Sequence, residues 1–238
     1  MNIFQAIFYQ PILNALIYCY ETIAFHNFGI AVVLITVFIR LVLYPLFHKS
    51  AKQQMLLQRI QPKIKKIQET HKKDKEKQAQ ALMELYKEHG VNPFSSMLLI
   101  IVQLPIMLGL YWVVRAGLIP GELTGLYSFV PPPGAINPLF LGMVNLAGPS
   151  IVIILLAALA QYFQARLAIY RDPSNTSPLS PAEKMARQMV FIGPLVTIFI
   201  FYGLPSAVGL YWLTSSLFSV FQQIIINRRF RQGETAAV

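Results

Sequence analysis

The sequence predicts an all-α integral membrane protein: five transmembrane helices, a cytoplasmic two-helix hairpin and an N-terminal interfacial amphipathic helix. Three observations predict it. Of 238 residues, 55% are hydrophobic, and the mean hydropathy is +0.52. Only 13% are charged, whereas soluble domains carry roughly 25%, so the chain cannot cover a soluble surface in the usual way. Several apolar runs reach the length of about 20 residues that a bilayer span needs.

Residues 1–26 are apolar but interrupted by Gln5, Gln10, Pro11, Asn14 and Glu21. Ile3, Ile7 and Phe8, then Ile12, Leu16 and Tyr20, recur at helical spacing, which predicts an amphipathic helix in the external interface. A sixth span is the competing reading. The first span is placed at 28–47 and holds one charge, Arg40. Residues 48–90 are a basic cytoplasmic excursion. Leu56, Ile60, Ile64 and Ile67 form one helical stripe, and Ala79, Leu82 and Tyr86 a second, with polar THKKD between them. That is the pattern of a helical hairpin with one buried face per arm, interrupted in its first arm by Pro62.

The second span, 93–114, carries Gln103 as its polar centre. An external loop at 115–145, rich in Gly and Pro, follows. The third span, 146–167, carries Gln161 and Gln164. A cytoplasmic loop at 168–184 includes the polar RDPSNTSPLSP stretch, and the fourth span covers 185–201. Gly203-Leu204-Pro205 is a tight reversal into the fifth span, 206–226, and a basic tail at 227–238 closes the chain. No internal repeat is visible, unlike the repeats of many transporters.

Loops alternate sides, so charge tests the count. With the hairpin in the cytoplasm, its eleven Lys/Arg join Arg166, Arg171, Lys184, Arg187, Arg228, Arg229 and Arg231 on one side. Arg115 alone lies outside, and Arg40 lies within a span. The positive-inside rule then places the N-terminus outside and the C-terminus in the cytoplasm.

Arg40 sits roughly 4 Å from the centre of the 28–47 stretch at 1.5 Å per residue. A central arginine costs about 2.5–3.5 kcal/mol on insertion scales. Snorkelling to the headgroups or an ion pair are ordinary explanations, but no acidic residue is expected inside any span. The sharper reading is a water-filled cavity lined by Arg40, Thr36 one turn away, Gln103, Gln161, Gln164 and the Ser215, Ser216 and Gln222 series. Each polar residue alone could equally be interhelical hydrogen-bond glue. Without an intramembrane Asp, Glu or His, such a cavity has no general base. No catalytic, metal or cofactor site is therefore expected, and a lone Cys19 gives no disulfide within the chain. His26, His48, His71 and His89 read as solvated loop histidines.

Five strings occur in order: TVFIRLVLYPL (36–46), IQPKIKKIQE (60–69), LYKEHGVNPF (85–94), VQLPIMLGLYW (102–112) and GLPSAVGLYWLTSSLFSVFQQ (203–223). With the basic hairpin between them, the chain resembles the YidC/Oxa/Alb family of membrane insertases from about residue 9 to 229. The resemblance implies a five-helix core with a hydrophilic groove open to the cytoplasm and to lipid. It places the groove arginine at Arg40, the threonine at Thr36, the groove glutamine at Gln164 beside Gln161, and an aromatic pair at Tyr211 and Trp212. It implies a non-enzymatic role in the bacterial inner membrane, where the protein inserts and chaperones nascent membrane proteins.

Further implied partners are the ribosome, through the basic hairpin and tail, the Sec translocon and anionic lipids; DNA is not among them. The large external domain of many relatives is not expected here. A tail with only three arginines predicts weak ribosome binding. The physical reading alone leaves a second function open, a small-anion transporter or channel built on the same cationic centre.

Overall fold

The computed structural model describes residues 3–117, 123–169 and 181–235. The expected polar loop from Arg171, and residues 118–122 of the expected external loop, lie outside the described residues. The order is a π-helical turn Gln5–Tyr9, α1 Gln10–Thr22, α2 Phe28–Val42, α3 Tyr44–Arg59, α4 Gln61–Thr70, α5 Lys75–Glu88 and α6 Ser95–Gly117. It continues with β1 Leu139–Phe140, β2 Val144–Asn145, α7 Ile151–Ala168, α8 Pro181–Phe201 and α9 Ser206–Thr235. Among the described residues four helices are long and apolar enough to cross a membrane, and a fifth crossing arises if α2 and α3 together form one bent span.

That bent pair differs from the single helix expected over 28–47. The helix axis turns by 66° between α2 and α3. The cause is local. Leu43 leaves helical geometry at φ −87°, ψ 3°, and Pro45 occupies the first turn of α3. A proline has no N–H for the helix ladder but fits a helix start. Arg40 therefore stands in the last turn of α2 rather than near the centre of a continuous helix. Partial negative charge at a helix C-terminus favours a cation there.

α1 is more deeply packed than the interfacial helix expected over 1–26, and it runs on unbroken from the π-helical turn, so the helix covers 3–22. Leu13, Leu16 and Ile17 are fully buried, packed with α2 and α6. The stripe of Ile12, Leu16 and Tyr20 faces this core, while Ile3 and Ile7 are exposed. Asn14 ties α1 to the loop before α7. Its side chain donates to Gln10 O (2.8 Å) and Gly125 O (3.1 Å) and accepts from Tyr127 N at 2.6 Å.

The hairpin consists of α4 and α5, hung from α3. Ile60, Ile64, Leu85 and Val91 form its small buried core, covered by Leu56, Leu57, Ile67, Leu82 and Tyr86. The first arm is interrupted at Pro62 as expected: the helix breaks at Ile60 and Pro62 stands in the first turn of α4. Ala79 is exposed and takes no part in the second stripe; the face is completed by Leu85 and Val91 instead. Asp74 caps α5 by accepting from Lys77 N at 3.0 Å. That backbone hydrogen bond holds its carboxyl below the ordinary aspartate range. Gln53 of α3 donates to Gly90 O at 3.3 Å and accepts from Asn92 N at 2.9 Å, fastening the hairpin's return.

A two-stranded antiparallel ribbon, absent from the all-α expectation, pairs Leu139 with Asn145 and Phe140 with Val144. Phe140 rests on Gly29 of α2. Ser206 at the start of α9 donates to Asn145 O and Gly148 O. The ribbon, the α1–α2 turn and the α9 start thus share the end of the bundle opposite the hairpin. α7 begins at Ile151, after Gly148-Pro149-Ser150, rather than at 146. α9 runs through the expected basic tail to Thr235 as one helix, because no proline stops it and the first glycine after Gly209 is Gly233.

Candidate functional site

A cavity of about 400 Å³ lies among α2, α3, α6, α7, α8 and α9. Its polar lining is Arg40, Gln54, Gln103, Gln164, Thr197 and a series on α9: Ser215, Ser216, Ser219, Gln222 and Gln223. The α9 residues fall at i, i+1, i+4, i+7 and i+8, one face of a helix. Leu99, Ile100, Leu104, Met107, Ile200, Phe201 and Trp212 supply the apolar wall. Ile100 and Leu104 of α6 and Ile200 of α8 line the cavity yet are also exposed on the outer surface. α8 packs mainly on α7, which leaves the cavity wall open between α6 and α8.

Arg40 is only 7% exposed. Its guanidinium carbon stands 4.2 Å from the centroid of the Phe47 ring on α3, a cation–π contact made across the helix break. Its Nη1 is buried and has no hydrogen-bond partner among the described residues. A charged donor left open in a low-dielectric cavity strongly attracts acceptors. No carboxylate among the described residues pairs with it. Trp212 also lines the cavity with a buried, unpartnered indole N–H, its ring 5.6 Å from Phe201. The cavity therefore offers donors and no base. Among the described residues no group of three or more His, Cys, Asp or Glu could hold a metal ion.

The expected site residues separate into two sets. Arg40, Gln103, Gln164 and Trp212 come together in the cavity wall. Thr36, Gln161 and Tyr211 stand behind it. Thr36 is fully buried, and its hydroxyl donates to Val32 O at 2.6 Å, so its polarity is spent within its own helix. Gln161 accepts from the Thr197 hydroxyl, which ties α7 to α8. Tyr211 is buried and accepts from the Gln103 side-chain amide, which fixes that amide in the wall.

Sequence reasoning missed Gln54, Thr197, Ser219 and Gln223 as lining residues. For Ser219 and Gln223 the signal was present: they extend the polar face already marked by Ser215, Ser216 and Gln222. Gln54 lies on a helix that was assigned to the soluble hairpin. Thr197 is a single hydroxyl in an apolar run, with no pattern to mark it. Of the expected solvated histidines, His26 is exposed, whereas His48 and His89 are partly packed. His48 stacks on Tyr44 at 5.5 Å with Nδ1 buried. His89 lies 2.7 Å from Lys63 Nζ and 3.0 Å from Leu85 O. Both are half-buried rather than free in solvent.

The family model of the 60Kd inner membrane protein matches residues 19–233. Similar curated proteins are named membrane protein insertase YidC. They come from Francisella tularensis subsp. novicida (strain U112), subsp. tularensis (strain WY96-3418) and subsp. holarctica (strain OSU18). Each is 33% identical over 205 residues, covering 86% of this chain and 33% of the relative. The chain thus spans about one third of the length of these relatives.

Proposed function

Because the chain belongs to the 60Kd inner membrane protein family, we propose that it is a membrane protein insertase of the bacterial inner membrane, working through the Arg40 cavity on nascent membrane proteins. The observation that carries the reading is the buried Arg40 guanidinium, open at Nη1, in a cavity lined by α6 and α8; on this reading the gap between those two helices faces lipid.

The physics is that of a temporary solvent. A polar or acidic segment crossing hydrocarbon loses its hydration at a cost of several kcal/mol per unpaired group. Arg40, the glutamine amides and the serine hydroxyls replace part of that hydration over part of the path. The substrate's apolar helix then leaves sideways across the exposed Leu, Ile and Phe side chains of α6 and α8. No GxxxxGK[ST] motif is present. The energy comes from partitioning of that helix and from the membrane potential, worth about 2.3 kcal/mol per charge per 100 mV.

The hairpin, on this reading, lies in the cytoplasm and meets substrate first, with the N-terminus outside. Ribosome and Sec translocon contacts would use the hairpin and the basic end of α9. Site-specific photocrosslinking of ribosome-bound nascent chains tests the reading. Probes at Gln164, Trp212 and Ser219 should capture the chain as its membrane segment emerges. Absence of adducts at all three, with adducts on lipid-facing controls, would overturn the cavity as the path. Anion flux through reconstituted protein without insertion would favour a transporter instead.

A further inference from the structure

We propose that the segment 123–150, at the end of the bundle opposite the hairpin, is a lipid-binding surface whose ribbon tip is seated in the lipid–water interface. The first observation is charge. Residues 123–150 contain no Asp, Glu, Lys, Arg or His. Water-facing loops are ordinarily rich in such groups. The second is exposure. Met143 is 79% exposed, Phe129 70%, Leu141 56%, Leu139 40% and Tyr127 38%. These side chains cluster on one loop, and Phe25 in the α1–α2 turn, at the same end, is 89% exposed.

The third observation is the tip itself. Leu141 has φ +52° and is followed by Gly142 at φ +72°. A tight turn with two positive φ values is normally made with Asn or Asp next to Gly, because their polar side chains bond locally and meet water. A leucine there is strained, and it holds an aliphatic side chain outward at the most prominent point of the ribbon. An aqueous turn gains nothing from that arrangement, whereas an apolar phase does.

The backbone is compatible with such a phase. Five prolines, Pro131, Pro132, Pro133, Pro138 and Pro149, remove N–H donors from the segment. The ribbon pairs its strands internally, and Met143 N donates to Phe140 O at 3.0 Å. These bonds satisfy part of the backbone at the ribbon, which suits a seat in the interface rather than in the hydrocarbon. The surface also continues without a charged break into exposed Ile151, Val152 and Leu155 of the membrane-spanning α7. That continuity identifies the occupant as the bilayer. Aromatic and aliphatic side chains at that depth suit the headgroup boundary.

The test is spin-label accessibility in vesicles of phosphatidylglycerol and phosphatidylethanolamine, on the full chain with Cys19→Ala. The label is placed at Met143→Cys or Phe129→Cys, with Leu155→Cys as the lipid reference and Lys73→Cys as the water reference. The expected oxygen-to-nickel collision ratio at Met143 and Phe129 is several-fold above that at Lys73 and approaches that at Leu155. A ratio matching Lys73 would overturn the proposal. So would exclusion of both quenchers with dipolar broadening that grows with protein density, since a second copy would then cover the face. Because the readout is depth and not insertion, it stands or falls separately from the insertase reading.

Discussion

The contact between Gly29 and Phe140 is the tightest that the opposite end of the bundle offers to a single-residue test. A Cβ added at position 29 would lie 2.1 Å from Phe140 Cδ2, 2.6 Å from Cγ and 2.9 Å from Cβ. Ordinary contact begins at 3.4 Å, so Gly29→Ala requires a separation of about 1.3 Å more along the closest line. Rotating the ring about Cβ–Cγ relieves only the first contact, because Cγ and Cβ lie on the rotation axis, and Cβ is fixed to the ribbon backbone. Overpacking of this kind costs about 1–3 kcal/mol. For a chain of this size each kcal/mol moves the melting temperature by about 2–4 °C, so the expected loss is on the order of 5 °C in a thermal melt of the detergent-purified protein. Phe140→Ala should cost stability by itself through lost packing. In the Gly29→Ala, Phe140→Ala double variant the two ring contacts are gone and only the 2.9 Å contact with Cβ remains, so the combined loss should fall short of the sum of the two by about 1 kcal/mol or more. Strict additivity, or a Gly29→Ala protein as stable as the parent, would refute the reasoning.

Other perturbations have equally definite outcomes. Gln103→Leu or Tyr211→Phe strands one buried partner and should cost about 1–3 kcal/mol in thermal or denaturant unfolding, while the double replacement should cost less than the sum. Asn14→Ala removes two hydrogen bonds between α1 and the loop before α7, and should make the loop around Gly125 an early site of limited proteolysis without changing helix content. Gln53→Ala should raise hydrogen exchange at Asn92, whose N–H the Gln53 side chain accepts, with no change at the α9 amides. The Asp74 cap is pH-dependent with a fixed sign. Its carboxyl is held below its unfolded value, so its contribution is complete above about pH 3.9 and is lost as pH falls through the lower folded value. Exchange at the Lys77 amide should therefore accelerate, beyond its intrinsic pH dependence, only in acid, and Asp74→Asn should flatten that response.

Fold class was legible because it depends on long apolar runs, which burial cannot disguise: α6, α7, α8 and α9 all announce themselves by length and composition. The break at Leu43 was less so. Tyr44-Pro45 reads as the end of a span when apolarity is the only guide, although a proline in the first turn equally starts a new helix. That misreading moved Arg40 toward the centre of a helix it in fact nearly terminates. The ribbon was invisible because two residues per strand carry no periodicity. The same limits apply at the cavity. Arg40 was found because a lone charge in an apolar stretch demands an explanation. Thr36 was misplaced because a hydroxyl one turn away shares the face in projection, yet satisfies itself on Val32 O. Gln54 was missed because the soluble hairpin was begun too early, whereas α3 runs alongside the bundle before the hairpin departs.

The central claim is that a fixed positive charge in a lipid-facing cavity lowers the barrier to moving a polar segment across the membrane. The most direct measurement is the insertion rate of a single-span substrate with an acidic external tail into liposomes containing the purified protein, compared for the parent, Arg40→Lys and Arg40→Ala. The account predicts loss of insertion in Arg40→Ala. It predicts partial retention in Arg40→Lys, which keeps the charge but not the planar fork or its stacking on Phe47. Insertion of the acidic substrate by Arg40→Ala at the parent rate, with the variant folded, would contradict it.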